Sequence, residues 1–187
     1  WTESARHGKA EIACGQDARG QALVTKGAYM ARGIVIYHSR SGNTKEMAET
    51  IARAMTASGV QTECKSVDNI HPDDLPQYDA IVIGSPCYYG QMAASVKQLI
   101  DDLVGRHGQL NGKVGAAFAS SANIGGGSET TIMGIIEAML IAGMVIQGDP
   151  QGSHYGPLSI GRPDDKVRQQ CERRGQRVAE LTKRLFP

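Results

Sequence analysis

Three times along this chain an apolar run stops abruptly in Gly and Ser residues and passes at once into a helix-patterned segment. The first is Gly33-Ile34-Val35-Ile36-Tyr37-His38, then Ser39-Arg40-Ser41-Gly42-Asn43-Thr44, then Met47, Ile51, Ala54, Met55 and Ser58 at three- and four-residue spacing up to Gly59. The second is Tyr78 to Gly84, then Ser85-Pro86-Cys87-Tyr88-Tyr89-Gly90-Gln91-Met92, with a helix expected from Ala94 to Val104. The third is Gly112 to Ala119, then Ser120-Ser121-Ala122-Asn123-Ile124-Gly125-Gly126-Gly127-Ser128, with a helix expected from Glu129 to Ala142. A β-branched run bounded by turn residues reads as a buried strand. Strand alternating with helix predicts an α/β parallel sheet covered on both faces. In such sheets ligands lie beyond the carboxyl ends of the strands, where all three Gly and Ser loops begin.

The remaining segments complete this pattern. Val60 to Val67 alternates apolar and polar residues and carries Gln61, Glu63 and Lys65, which suits an edge strand. Asn69 to Gln77, with two prolines, reads as a connection, Met144 to Gln147 as a fifth strand and Gly148 to Pro163 as loop. From Asp164 to Phe186 a terminal helix places Val167, Cys171, Val178, Leu181 and Leu185 inward, while Arg168, Arg173, Arg174, Arg177, Lys183 and Arg184 read as a solvated face. Residues 1–31 lack a sustained period and read as an N-terminal extension, an upstream remnant or an introduced segment, ahead of a single domain over 32–187. Met30-Ala31-Arg32-Gly33 resembles a natural start of translation and Trp1 does not.

Composition narrows the partners. Arg6, Lys9, Arg19 and Lys26 against Glu3, Glu11 and Asp17 account for the formal charge of +1, so Met30 to Pro187 is formally neutral. That balance gives no case for nucleic acid or an anionic membrane surface. The apolar stretch Ile132 to Gln147 is interrupted and too short to span a bilayer, and the N-terminus has no signal-peptide core, so no membrane insertion and a cytoplasmic location are expected. Cys14, Cys64, Cys87 and Cys171 form no Cys-x-x-Cys pair, so no metal site is expected and the thiols read as reduced and mostly buried.

The first loop suggests phosphate binding, because Ser, Gly, Asn and Thr ahead of a helix offer hydroxyls and unpaired first-turn N–H groups at the positive end of the helix dipole. It contains neither Gly-x-x-x-x-Gly-Lys nor Gly-x-Gly-x-x-Gly, which disfavours adenylate nucleotides. Small polar residues in that place also serve as ordinary turn and N-cap chemistry. Ser39-Arg40-Ser41-Gly42-Asn43-Thr44 after a strand resembles the phosphate-binding signature of the flavodoxin family. The loop Gly84 to Met92, the segment Ser120 to Thr130 and Gly143-Met144-Val145-Ile146 are similar to those of the WrbA-like NAD(P)H:quinone oxidoreductases.

This resemblance implies a flavodoxin-like three-layer sandwich with a five-stranded parallel sheet in the order 2-1-3-4-5, and FMN as cofactor. Ser39, Arg40, Ser41, Gly42, Asn43 and Thr44 would hold its phosphate. Pro86, Cys87, Tyr88, Tyr89 and Gly90 on one side, and Ser120, Ser121, Ala122, Asn123, Gly125 and Gly126 on the other, would hold its ring. NAD(P)H and a quinone-like molecule would be the partners, with a homodimer or homotetramer completing the cleft. The family's histidine pair before the Gly-Met-Val-Ile strand is replaced here by Ile141-Ala142. His154, in a loop resembling the family's late Tyr-Gly loop, is therefore the candidate polar group near substrate, with Tyr88 and Tyr89 as stacking or hydrogen-bonding candidates. The alternative expectation is a flavodoxin-like electron carrier without a small-molecule substrate. Such carriers are usually strongly acidic, and the formal neutrality of Met30 to Pro187 counts against it.

Overall fold

The computed structural model describes residues 14–16, 22–24 and 29–187. Strands β1 (Arg32–Tyr37), β2 (Gln61–Ser66), β3 (Ala80–Tyr88), β4 (Val114–Ser121) and β5 (Val145–Ile146) lie parallel in the order β2-β1-β3-β4-β5, the 2-1-3-4-5 order expected. Helices α1 (Asn43–Ala57) and α4 (Asp165–Leu185) cover one face, and α2 (Ala94–Asp102) and α3 (Ser128–Ile141) the other. Because both faces are covered, the central strands are apolar at consecutive positions and divide them between two cores. Val35, Val82 and Phe118 pack with Met47, Ile51, Cys171 and Val178. Ile34, Ile36, Ile81 and Ile83 pack with Val96, Leu99, Ile132 and Ile135. The charged strand β2 is at the edge, as its residues suggest.

The strands do not end level. β1 makes its last pair with β3 at Tyr37 and Gly84, whereas β3 and β4 stay paired as far as Pro86 and Ser120. The second apolar run thus outlasts its expected end at Gly84. It continues to Tyr88 and turns back at Gln91–Met92 as a hairpin, with Cys87 opposite Met92 and Tyr88 opposite Gln91. Pro86 fits inside this strand because β1 has already ended, leaving one side of β3 as an edge where a missing N–H costs no ladder bond.

The expected loop 148–163 also contains a strand, β6 (Leu158–Ile160), which pairs with Ala119–Ser121 of β4 beyond the point where β5 leaves it. Three residues are too few to register as an alternating pattern. On α4, Arg174 is not on a solvated face: it is 3% exposed and donates to the carbonyls of Gln147 (2.7 Å) and Ser153 (3.0 Å). Arg173 donates to Asp149 Oδ2 (2.7 Å) and Arg177 to the Gly148 carbonyl (2.8 Å). Among the described residues the segment between β5 and β6 has no strand neighbour, and guanidinium groups supply the donors its inward carbonyls need. Leu185, expected inward, is 45% exposed, and Phe186 packs against the core in its place. Smaller shifts affect α2, which ends at Asp102 and continues as a tight turn Leu103–Arg106, and α3, which starts at Ser128.

Within the expected extension, Cys14–Gln16 pairs antiparallel with Ala22–Val24, and its other positions up to residue 28 lie outside the described residues. The Tyr29 hydroxyl donates to the Asp79 carboxylate (2.8 Å) and Ala31 is buried, so packing on the domain begins before residue 32.

Two consequences are measurable. A Cβ on Gly84 would lie 2.0 Å from Phe118 Cζ, and Phe118 is fully buried. Gly84→Ala is expected to destabilise the fold by about 3 kcal/mol, the upper part of the usual overpacking range, read as a lowered urea midpoint. The Asp149 carboxylate, 6% exposed, is held at about 2, first by donation from Arg173 and then by the Gln151 N–H and the charges of Arg173 and Arg177. A carboxyl whose folded value lies below its unfolded value of about 4 stabilises the fold above that value, and the contribution fades as pH falls from about 4 towards 2. Asp149→Asn should therefore lower stability at neutral pH and flatten the loss of stability across that acid window; an unchanged acid limb would contradict this.

Candidate functional site

The carboxyl ends of β1, β3 and β4 open into a cleft of about 680 Å³ lined by Arg40, Ser41, Asn43, Thr44, Pro86, Cys87, Tyr88, Ser120, Ser121, Ala122 and Gly161. At one end is the start of α1. Gly42, with φ 92°, is its N-cap and offers no side chain to cap it. The first helical bond is Glu46 N–H to the Gly42 carbonyl, and the N–H groups of Asn43, Thr44 and Lys45 find no acceptor among the described residues. The Ser39 hydroxyl accepts from Gly42 N–H (3.1 Å), which holds the turn so that these donors face outward together.

Electrostatically the cleft suits an anion at this end and a neutral body beyond it. Among the described residues no Asp or Glu lines it, and Arg40 is the one charged lining side chain. Glu46, in the first turn of α1, would oppose an anion, but Arg168 binds it through Nε (2.9 Å) and Nη2 (2.8 Å) and Arg162 lies 3.6 Å away. Donation from Arg168 holds the Glu46 carboxyl below its usual range and neutralises it locally.

The second and third loops form the walls. Ser85 fixes the base of the β3 hairpin by accepting from Ala93 N–H (2.8 Å) while donating to the Pro86 carbonyl (2.8 Å). At the hairpin tip Tyr89 and Gly90 have φ 52° and 79°, the two left-handed residues of a type I′ turn. A tyrosine there is strained, and its side chain is wholly exposed. The tip rests on the third loop. Thr130 Oγ1 donates to the Gly90 carbonyl (2.8 Å), Cys87 Sγ donates to the Gly126 carbonyl (2.9 Å), and a Cβ on Gly127 would fall 2.6 Å from Gly90 Cα. A buried hydroxyl pair, Thr44 Oγ1 and Ser120 Oγ at 2.8 Å, ties the first loop to the third. The N–H groups of Ala122 and Asn123 have no acceptor among the described residues.

Of the expected residues, Arg40, Ser41, Asn43, Thr44, Pro86, Cys87, Tyr88, Ser120, Ser121 and Ala122 line this one cleft. Ser39, Gly42, Gly90 and Gly126 shape its loops from behind, and Tyr89, Asn123 and Gly125 stand exposed beside it. His154 is not among the lining residues: it is exposed on the segment between β5 and β6, with Nδ1 2.7 Å from the Asp149 carbonyl. Cys64 and Cys171 are free thiols away from the cleft, pushed by burial up to about 11 and about 12. Two contributors escape sequence reasoning. Gly161 enters only because β6 pairs with β4. His38, the last residue of the first apolar run, sets its ring edge-on to Tyr88 (centroids 6.4 Å apart, 76° between planes) and is held at Nδ1 by the Ser95 hydroxyl (3.1 Å). Its place at the carboxyl end of a buried strand was the available signal.

Comparison with known proteins agrees with this geometry. The flavodoxin domain model matches residues 34–126. A flavodoxin of Aquifex aeolicus is 35% identical, the match covering 81% of this chain and 86% of that protein. An Archaeoglobus fulgidus protein named NAD(P)H dehydrogenase (quinone) is 34% identical, with 83% of this chain and 100% of the relative covered. The solved structure of a flavodoxin from the domain Archaea is 34% identical with a TM-score of 0.69, covering 81% of this chain and 99% of that one. An uncapped helix start facing a two-walled cleft at the ends of a 2-1-3-4-5 sheet, together with identity of this extent along the chain, has one reading: the chain belongs to the flavodoxin family.

Proposed function

We propose that residues 32–187 form an FMN-binding domain and that the protein is an oxidoreductase passing hydride from NAD(P)H to a quinone or similar acceptor. The observation that carries this reading is the cleft itself, which joins an uncapped helix start, whose one first-turn carboxylate is taken up by Arg168, to a slot walled by Pro86, Cys87 and Tyr88 on one side and Ala122 on the other. That donor set fits a phosphate monoester at one end and a flat, neutral ring at the other.

The N–H groups of Asn43, Thr44 and Lys45 and the hydroxyls of Ser41 and Thr44 would hold the phosphate, with Arg40 at the rim and Ser39 bracing the turn from behind. Pro86, Cys87 and Tyr88 would exclude water from one face of the ring, with the His38 ring packed edge-on against Tyr88. When bound, FMN supplies a ring that accepts a hydride and returns two electrons to a second substrate. The free N–H groups of Ala122 and Asn123 would be the donors available to negative charge on that ring, since prealigned donors need no reorganisation as charge appears. Tyr88 and Tyr89 offer aromatic surface to the incoming nicotinamide or quinone. His154, tied to the Asp149 carbonyl, has no role in this scheme.

The name of the Archaeoglobus fulgidus relative supports the two substrates, and that of the Aquifex aeolicus relative supports electron carriage, which is the alternative. The reading includes a cytoplasmic setting and a homodimer or homotetramer; the exposed Leu140 and Ile141 of α3 offer surface that such assembly would cover. Among the described residues no helix is long and apolar enough to cross a membrane.

Stopped-flow mixing separates the two readings. FMN-loaded protein mixed with NADH or NADPH should lose its visible flavin absorbance rapidly and regain it when benzoquinone is added. A colour that neither nucleotide bleaches, on protein that chemical reductant does bleach, would favour the carrier and contradict the enzyme.

A further inference from the structure

We propose that Ser120 is a positioning residue that acts through Thr44: it fixes the direction in which the Thr44 hydroxyl donates, and so sets how strongly the cleft prefers a phosphorylated flavin over an unphosphorylated one. The proposal rests on the FMN reading above.

The two hydroxyls lie 2.8 Å apart across 76 residues of sequence, and their residues are 1% and 5% exposed. One hydrogen bond between them uses one of two hydroxyl protons. Among the described residues neither oxygen has another partner, so one O–H remains without an internal acceptor, and both side chains line the cleft. A buried donor of this kind calls for an acceptor from outside.

Which proton is left over decides what the site prefers. If Thr44 donated to Ser120, the lone pairs of Thr44 would face the anion seat beside the N–H groups of Asn43, Thr44 and Lys45, and would repel a phosphate oxygen. If Ser120 donates to Thr44, the Thr44 proton is free for the phosphate, which offers only acceptors. In that order the two bonds polarise each other and strengthen together. Ser120 has a second effect. A threonine in the first turn of a helix can donate back to a preceding carbonyl, a rotamer that would withdraw its proton from the cleft. The bond to Ser120, anchored at the end of β4, holds Thr44 out of that rotamer.

The test uses the full chain stripped of flavin and measures dissociation constants for FMN and for riboflavin, which lacks the phosphate, by quenching of flavin fluorescence. Ser120→Ala is expected to weaken FMN about tenfold, the scale of a hydrogen bond to a charged group, and riboflavin by less than about twofold. Ser120→Cys, close in size with a weaker donor, should shift the preference in the same direction. In a Thr44→Val background Ser120→Ala should cost FMN less than about twofold further, because its effect passes through the Thr44 hydroxyl. Equal losses for both ligands, or an undiminished effect in the Thr44→Val background, would overturn the proposal while leaving the FMN reading intact. Wild-type protein that binds neither flavin would overturn both.

Discussion

The uneven ending of three parallel strands is the constraint on which the site depends. β1 stops pairing at Tyr37 and Gly84, while β3 and β4 run on together to Pro86 and Ser120. This leaves a step at the carboxyl edge of the sheet. The first loop and the start of α1 fill the lower level, and the prolonged β3 hairpin and the third loop rise beside it as walls. A parallel sheet forces all three connections to leave from the same edge, and the step gives them different heights, so a ligand with a charged end and a flat body has a place for each part. The pair at Gly84 and Phe118 lies just below the step, where the close fit of ring against backbone keeps the two strands in register.

The arrangement of charge follows the same division. Arginines attend two of the acids near the carboxyl edge of the sheet: Arg168 takes Glu46, and Arg173 with Arg177 takes the buried Asp149. The cleft itself is left to neutral donors and one rim cation. Uncapped N–H groups bind an anion through geometry and dipole, and an ordinary side-chain cap at Gly42 would compete with the ligand for those donors. Strain is concentrated in the same region, at Tyr89, which occupies a left-handed position with its ring in water. A residue held so at the lip of a cleft is suited to meeting a second molecule.

Much of this was legible in the sequence, for physical reasons that differ by element. The alternation of Ile34, Val35 and Ile36 and of Ile81, Val82 and Ile83, stopping at Gly or Ser, follows from strands buried on both faces, and it marked the sheet and the loops that line the cleft. The extension of β3 through Pro86 was not legible, because proline argues against a strand unless the neighbouring strand is known to have ended. β6 is too short to show a period. Arg174 looked solvated because charge alone does not reveal unpaired carbonyls from a segment 20 or more residues away in sequence. His154 was singled out by a loop resemblance, whereas His38, beside Tyr88, carried only the signal of its place at a strand end.

The most direct test of the central claim is a nitrogen-15 amide spectrum of the apoprotein on addition of FMN and, separately, of riboflavin. If the start of α1 is the phosphate seat, the N–H resonances of Asn43, Thr44 and Lys45 should move strongly downfield with FMN and much less with riboflavin, while those of Ala122 and Asn123 respond to both. Amides of Asn43, Thr44 and Lys45 that stay in place when FMN binds would contradict it.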